Sequence, residues 1–479
     1  MHKLTKEDLD KIKYFNPHLH SHYSLLDGIG TVSAHIKKAH ACGHAGCAIT
    51  DHGTMASAIE LYQKTRDPDF LKNELKTEEF PGVPGCELYI TRDALIKDKE
   101  NKYNHITVLT KNYQGYKNLC FLTSIGSSPD HHYFRPRCSM EELKNNKEGL
   151  IATSGCVLGM IPQAILKKTG KEEELALEFL EIFGEDFYIE LHFSDISHKW
   201  NSENKTYEPQ GFNPQEIVNK RLLELSEKFK IKCLIAQDAH MPNKEDHAIQ
   251  TIMIANSPSG KDGWHFREAY YTRTVHDMYE QMKQTMPFIS DQQFIDYCQN
   301  TIEVLNKCKG LKMEFKPILP KVKYDENPVN QDPKYDEILN NFKAVFQAID
   351  KEFSDLIEYS EKDISLRTAL KCVIKNEKID LLDDKYRERI KQEIDIIQFN
   401  GRIKLMDYFL ILEDVSRKVT ESGFLRGYGR GSGAGSLLCY ALDITDCDSL
   451  EYSLLFERFL TRSRIGNLNF DLSEAISGS

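Results

Sequence analysis

Between about residues 15 and 240, short apolar runs alternate with longer amphipathic stretches. The runs are GCAIT (46–50), GVPGCELYI (82–90), HITVLT (105–110), GLIAT (149–153), DFYIEL (186–191) and KCLIA (232–236). Their length, and the Gly, Pro and polar residues that flank them, predict buried strands. Between them, VSAHIKKAHA (32–41) and PQEIVNKRLLELSEKFK (214–230) place apolar residues at helical spacing. This βαβα rhythm predicts an α/β domain built as a barrel or a doubly wound sheet.

From about 241 to 330 the pattern turns irregular, and the polar, Pro-interrupted PILPKVKYDENPVNQDP (317–333) reads as a linker. Residues 335–420 are mostly helical by periodicity, as in KYRERIKQEIDIIQF and YFLILEDVSRKVTES. A Gly-rich stretch, GYGRGSGAGS (427–436), precedes the helix-like LLCYAL, and the last residues, NLNFDLSEAISGS, lack the apolar closure expected of a finished domain.

With 479 residues the chain has room for two or three domains. Lys+Arg is 62 and Asp+Glu is 73, a net charge of −11, which excludes a wholly basic nucleic-acid binder but not a local DNA groove. No apolar run approaches the roughly 20 residues that span a bilayer, so no membrane partner is expected. The polar start MHKLTKEDLDKIKYF predicts no signal peptide. The 12 cysteines form no CxxC pair, and reduced thiols in a cytoplasm are the expectation.

The candidate chemistry lies at the ends of the apolar runs. PHLHSHYSLLDG supplies His18, His20 and Asp27; CAITDHG supplies Asp51 and His52; GCELY supplies Glu87. NHITVLT opens with His105, LIATSGC ends in Cys156, and LIAQDAH ends in Asp238 and His240. In α/β folds ligand-binding residues gather at one rim of the sheet. Five histidines, several carboxylates and one cysteine are the ligand types of a multinuclear Zn²⁺ or Mn²⁺ site, and such a site suits in-line phosphoester displacement. By contrast, HACGHAGC (His40, Cys42, His44, Cys47) matches no closed tetrahedral motif and reads as packing. His131 and His132 read as solvent-exposed loop residues, and His192 and His198 have no neighbouring partner motif.

HLHSHYSLLDG, AITDHG, GCELY, SGC and QDAH resemble the polymerase-and-histidinol-phosphatase (PHP) domain at the front of bacterial replicative DNA polymerases. GRGSGAGSLLCYALDITDCDSLEYSLLFERFL (429–460) resembles the start of the palm in the DNA polymerase III alpha, or family C, group. The resemblance implies an α/β fold: a distorted β7/α7 PHP barrel, then a partial polymerase-beta-like nucleotidyltransferase palm with helical elements. The expected boundaries are PHP 1–285, linker or start of the palm 286–335, and partial palm 336–479, ending before thumb and fingers. It implies up to three Zn²⁺ or Mn²⁺ ions on His18, His20, Asp27, His52, Glu87, His105, Cys156, Asp238 and His240, and a 3′–5′ exonuclease. It also implies primer-template DNA, deoxynucleoside triphosphates and other replisome subunits as partners. A free-standing PHP phosphoesterase, and a non-catalytic DNA- or replisome-binding module with structural metals, are the competing readings.

In the Gly-rich stretch, Gly431 and Gly435 allow close approach of backbone to phosphate, Arg430 adds positive charge, and Ser432 and Ser436 add donors. Arg458, Arg462 and Arg464 are further candidates for DNA-backbone or triphosphate contact. Polymerisation requires carboxylates for Mg²⁺. By resemblance the first of these fall at 469–473, where Asp471 is the candidate catalytic carboxylate. Asn469 stands where the family has a metal-binding Asp, Ser473 where a further Asp often lies, and Glu474 is out of register. Polymerase activity is therefore not expected of this chain alone. The expected accounts are a fragment, one half of a split gene completed by a second polypeptide, or a degenerate relative.

Overall fold

A computed structural model describes residues 4–466, apart from 26, 100, 202, 205, 257–266, 268–269, 314–321, 399–404 and 430. The chain forms two compact units, 1–314 and 315–479.

Among its described residues the first unit has nine strands: β1 (Cys47–Ile49), β2 (Gly82–Thr91), β3 (Asn104–Thr110), β4 (Arg137–Ser139), β5 (Leu150–Thr153), β6 (Phe187–Leu191), β7 (His198–Asn201), β8 (Thr206–Pro209) and β9 (Cys233–Ile235). Seven of them make one sheet in the order β1-β2-β3-β5-β6-β9, with β4 beside β2; β7 and β8 form a separate hairpin. All six apolar runs are strands of the large sheet. They are buried along nearly their whole length, which is why they read as continuous apolar runs and not as alternation.

The sheet is mixed, although a βαβα rhythm predicts parallel strands. β3 runs antiparallel to both β2 and β5. No helix lies between β2 and β3, and a short connection without a crossover returns the chain antiparallel. The sheet curls, and the segment 16–20 spans its two edges: Asn16 bridges Cys47 of β1, and Leu19 bridges Ala239 just after β9. The His20 N–H donates to the Ala239 carbonyl at 2.7 Å and the Thr50 N–H to the Leu19 carbonyl at 2.8 Å. His18 and His20 are thereby carried to the rim where the other strand-end residues emerge.

Helices pack on the sheet through apolar stripes. In Pro214–Phe229 the stripe is Val218, Leu222 and Leu225; Pro214 starts the helix, and Asn213 caps it by accepting from the Gln215 N–H. Thr31 caps Val32–Ala41, and Asn112 caps Tyr113–Gly126. The irregular region past 241 contains the helices His247–Asn256, Val275–Thr285 and Asp291–Cys308. The last of these begins inside the expected linker 286–335, yet it buries Phe294, Cys298, Val304 and Leu305 in the first unit. Its Gln- and Asn-rich exposed face hides a well-spaced apolar stripe.

Among its described residues the second unit is helical, with a core that includes Phe346, Phe353, Leu366, Ile390, Ile394, Leu410, Leu437 and Phe456. Part of the expected linker belongs to it. Asn327 and Pro328 act as N-cap and first residue of the helix Pro328–Gln331, which buries Val329.

Candidate metal centre

The strand ends and the closing segment bring the nine expected ligands into one set of overlapping groups. Donor atoms held about 2.1 Å from a four-coordinate ion stand roughly 3.4 Å apart. The His18 Nε2 lies 3.0 Å from His20 Nε2, a hydrogen-bond distance that is also close to the spacing of two donors on one ion. Asp238 Oδ1 is 3.4 Å from the first nitrogen and 3.3 Å from the second. Glu87 oxygens lie 3.6 Å and 3.7 Å from the same two nitrogens.

Glu87 faces further partners with each oxygen. Its Oε1 is 2.7 Å from His105 Nδ1 and 3.5 Å from Cys156 Sγ, and its Oε2 is 2.5 Å from His52 Nδ1. His52 Nε2 in turn lies 3.2 Å from Asp27 Oδ2, and the rings of His20 and His240 stack with centroids 4.3 Å apart. Glu87 is thus placed to be shared between neighbouring ions.

The donors fit a metal. Asp27 Oδ1 is buried with no hydrogen-bond partner, an expensive state that a cation would relieve, and Glu87 Oε2 and Asp238 Oδ1 are buried facing imidazole nitrogens alone, without hydrogen-bond geometry. Four groups, His20/His52/His240, His18/His20/Asp238, Glu87/His105/Cys156 and His18/Glu190/His192, each have donor atoms within 4.8 Å of one another. Asp238 has φ +48°, in the left-handed region that Asp adopts more readily than most residues. Gly155 adopts φ +72°, where a Cβ would sit 2.9 Å from the His105 carbonyl, so the turn that aims Cys156 requires glycine.

The electrostatics match. Burial opposes charge on His18, but Asp238, Glu190 and Glu87 outweigh it and push its pKa up to about 10. Burial, with His52 and His240 alongside, pulls His20 down to about 3. Burial opposes charge on Asp27, Glu87 and Asp238 as well. The neighbouring imidazoles win, holding Asp27 down to about 2 and the other two well below the carboxylate range. Burial, followed by Glu87 and Asp238, pushes the Cys156 thiol well up; a bound cation is what turns such a thiol into a ligand.

Glu190, with His192 beside it, and Ser24 have no counterpart among the expected ligands. Glu190 is fully buried in β6, and its Oε1 lies 2.6 Å from His18 Nδ1 and 2.9 Å from His192 Nε2. Thr153 Oγ1 donates to its other oxygen. Because His18 turns Nε2 toward His20 and Asp238, Nδ1 is the nitrogen left for orientation, and Glu190 fixes the ring and its tautomer. A carboxylate inside the apolar run DFYIEL was the available signal. Glu190→Gln keeps the shape and removes the charge, so metal affinity is expected to fall roughly 10–100-fold, measured by competition with a chromophoric chelator. Ser24 is the second. Its hydroxyl lies 3.0 Å from His20 Nδ1, accepts from the His52 N–H at 3.1 Å and donates to Asp51 at 2.8 Å. Asp51 also accepts from the Ser21 N–H and hydroxyl, so it braces the loop and is not aimed at the cluster.

The HACGHAGC segment packs as expected. His44 is buried with Nε2 2.9 Å from the Arg273 carbonyl, Cys42 contacts the Thr272 carbonyl, Cys47 is in β1, and none joins a metal-holding group among the described residues. Burial lowers the His44 pKa to about 4. The unfolded chain therefore takes up the proton first, and stability present above about pH 6.5 is lost as pH falls toward 4. His44→Gln, which keeps a donor for Arg273, is expected to lose about 2 kcal/mol less than the parent between pH 7 and pH 5, measured by urea denaturation. His131 departs from the expected exposure: it is buried, with Nε2 2.7 Å from Glu142, whereas His132 is exposed.

In the second unit, Gly431 and Ser432 are exposed, and Gly431 has φ +71°. Gly435 and Ser436 are buried. The Ser436 hydroxyl donates to Glu393 at 2.7 Å and accepts from the Cys439 N–H as the cap of Leu437–Ala441. Glu393 also accepts from the N–H groups of Leu437 at 2.8 Å and Leu438 at 3.0 Å. The anion at this helix start is the protein's own carboxylate. Arg458 is exposed, Arg462 pairs with Asp395, and Arg464 donates to the Phe459 carbonyl at 3.3 Å. Arg430, Asn469, Asp471, Ser473 and Glu474 lie outside the described residues.

Comparison with known proteins agrees with this division. Residues 16–194 match the PHP domain family, and residues 358–473 match the bacterial DNA polymerase III alpha NTPase domain. DNA polymerase III subunit alpha of Borreliella burgdorferi is 32% identical over 97% of this chain and 35% of its own length. That of Helicobacter pylori strain 26695 is 30% identical over 95% of this chain and 34% of its own. The chain spans about a third of the length of these curated relatives. A solved structure from Bifidobacterium adolescentis, described provisionally as a metal-dependent phosphoesterase, superimposes with a TM-score of 0.30 at 13% identity, covering 56% of this chain and 96% of its own. No described helix is long and apolar enough to cross a membrane.

Proposed function

We propose that this chain, a PHP domain joined to part of a DNA polymerase III alpha NTPase domain, belongs to a replicative DNA polymerase and that its first unit is a metal-dependent 3′–5′ exonuclease. The observation that carries the nuclease reading is the convergence of His18, His20, Glu87 and Asp238 at cation-ligand spacing, with Asp27, His52, His105, Cys156 and His240 around them. Zn²⁺ or Mn²⁺ held there supplies Lewis-acid charge for a phosphodiester and a lowered pKa for attacking water.

The side chains do the rest. Glu87 holds two neighbouring donor groups at a fixed separation, and Glu190 and Ser24 fix the His18 and His20 rings. Burial of nearly every donor keeps bulk water from screening the charges that face the scissile phosphate.

In this reading the second unit carries the Gly431–Ser432 edge toward the triphosphate of an incoming nucleotide, with Asp471 and Mg²⁺ part of a polymerase site that other segments complete. Primer-template DNA, deoxynucleoside triphosphates and replisome subunits are its partners, in the cytoplasm. The match over 358–473 supports this over a free-standing phosphoesterase.

The test is a primer with a mismatched 3′ end incubated with Mn²⁺ or Zn²⁺. Stepwise nucleotide release by the parent and its loss in His18→Ala are expected; no release by the metal-loaded parent overturns the nuclease.

A further inference from the structure

An aromatic track leads from the metal centre to the surface. Tyr89, at the end of β2, stands with its ring 6.0 Å from His52 and 5.1 Å from His105. Tyr103 is next, 5.0 Å from Tyr89 and 6.1 Å from His105. The Lys102 ammonium lies 5.3 Å from the centroids of both Tyr103 and Phe134. Phe134 ends the track at 64% exposure, with Arg135 exposed beside it.

The exposed end is built and held. Phe134 has φ +63°, a left-handed conformation that a bulky side chain rarely adopts. The turn around it is closed by the bridge between Tyr133 and Arg135. Beneath it Arg137, fully buried, donates to the carbonyls of His131, Ala94, Ile96, Asn101 and Lys102, tying the Lys102 loop to the Phe134 loop. Pro136 meets Gly53, the residue after His52, where a Cβ would lie 2.7 Å from the proline Cγ. The strain thus persists because two loops and a ligand-bearing turn over-determine it, which is the condition for strain at functional positions.

Bases stack on aromatic faces irrespective of sequence, and cations beside those faces meet the phosphates between them. We infer that Phe134, Lys102 and Tyr103 form a stacking platform for the unpaired 3′ end of a DNA strand whose terminal phosphodiester sits in the metal centre. This rests on the exonuclease reading and adds the residues that receive the strand: a duplex end must fray before its bases reach the ring of Phe134.

The experiment uses the full chain and three variants. Phe134→Asn removes the ring while tolerating the left-handed backbone, Phe134→Trp retains a stacking face, and Lys102→Gln removes the charge. The ratio of kcat/KM for a single-stranded oligonucleotide to that for bis(p-nitrophenyl) phosphate is expected to fall about 10-fold in Phe134→Asn, to persist in Phe134→Trp, and to fall with weaker salt dependence in Lys102→Gln. An unchanged ratio in Phe134→Asn overturns the platform. A second readout is independent of catalysis: 2-aminopurine at the 3′ terminus of an oligonucleotide with phosphorothioate linkages. The parent is expected to quench it and Phe134→Asn not to. Equal quenching, or none in either protein, overturns the platform, whereas hydrolysis of neither substrate with quenching intact overturns only the exonuclease.

Discussion

Glu87→Gln is expected to abolish metal-dependent hydrolysis and, with it, the stabilisation that metal confers. Its two oxygens face His105 and Cys156 on one side and His52 on the other, so the neutral amide weakens two donor groups at once. The loss in affinity should exceed the roughly 10–100-fold that removal of an orienting partner costs. In the parent, metal at about 1,000 times its dissociation constant adds about 4 kcal/mol to the folded state, a rise in melting temperature of roughly 8 °C for a unit of this size. Differential scanning fluorimetry with Mn²⁺, and again after chelation, reads this directly. A Glu87→Gln protein that gains the full shift, or keeps parental turnover, contradicts the shared-ligand geometry.

The second large effect lies in the other unit. Glu393→Ala leaves the Leu437 and Leu438 amides without an acceptor and Arg389, whose Nε donates to Glu393 at 2.7 Å, without its anion. Burial raises the pKa of Glu393, while these donors oppose the rise. Removing one partner of a buried charged network costs about 3–5 kcal/mol. That is roughly 10 °C for a unit of fewer than 200 residues. Native-state hydrogen exchange over 437–442 should accelerate in step, and Glu393→Gln, which keeps an acceptor, should lose less. Parental exchange in Glu393→Ala would mean the carboxylate is not what holds this helix start.

Part of the cluster was legible because His52, His105, Cys156, Asp238 and His240 stand at or just beyond the ends of apolar runs, and strand ends of one sheet share a rim. These residues could therefore be chosen together without coordinates. Glu190 was passed over although, like Glu87, it is a carboxylate inside an apolar run, because the imidazole it faces comes from another segment. The helix Asp291–Cys308 was missed for a related reason: its polar face dominates its composition, while its apolar stripe matters only once a sheet lies beneath it. At the Gly-rich segment, the start of Leu437–Ala441 is taken by Glu393, 43 residues upstream of Ser436, a partner that the local pattern does not record.

Local pattern determined what each segment is and which side chains stand at its end, because hydrophobic period, caps and turn residues act over a few positions. Which of those side chains meet, which carboxylate orients which ring, and which loop holds Phe134 against the surface were decided by the curl of the sheet and the burial it creates. Burial makes an unpaired charge costly, so partners from distant parts of the chain are fixed in place, and nothing in the order of residues records who those partners are.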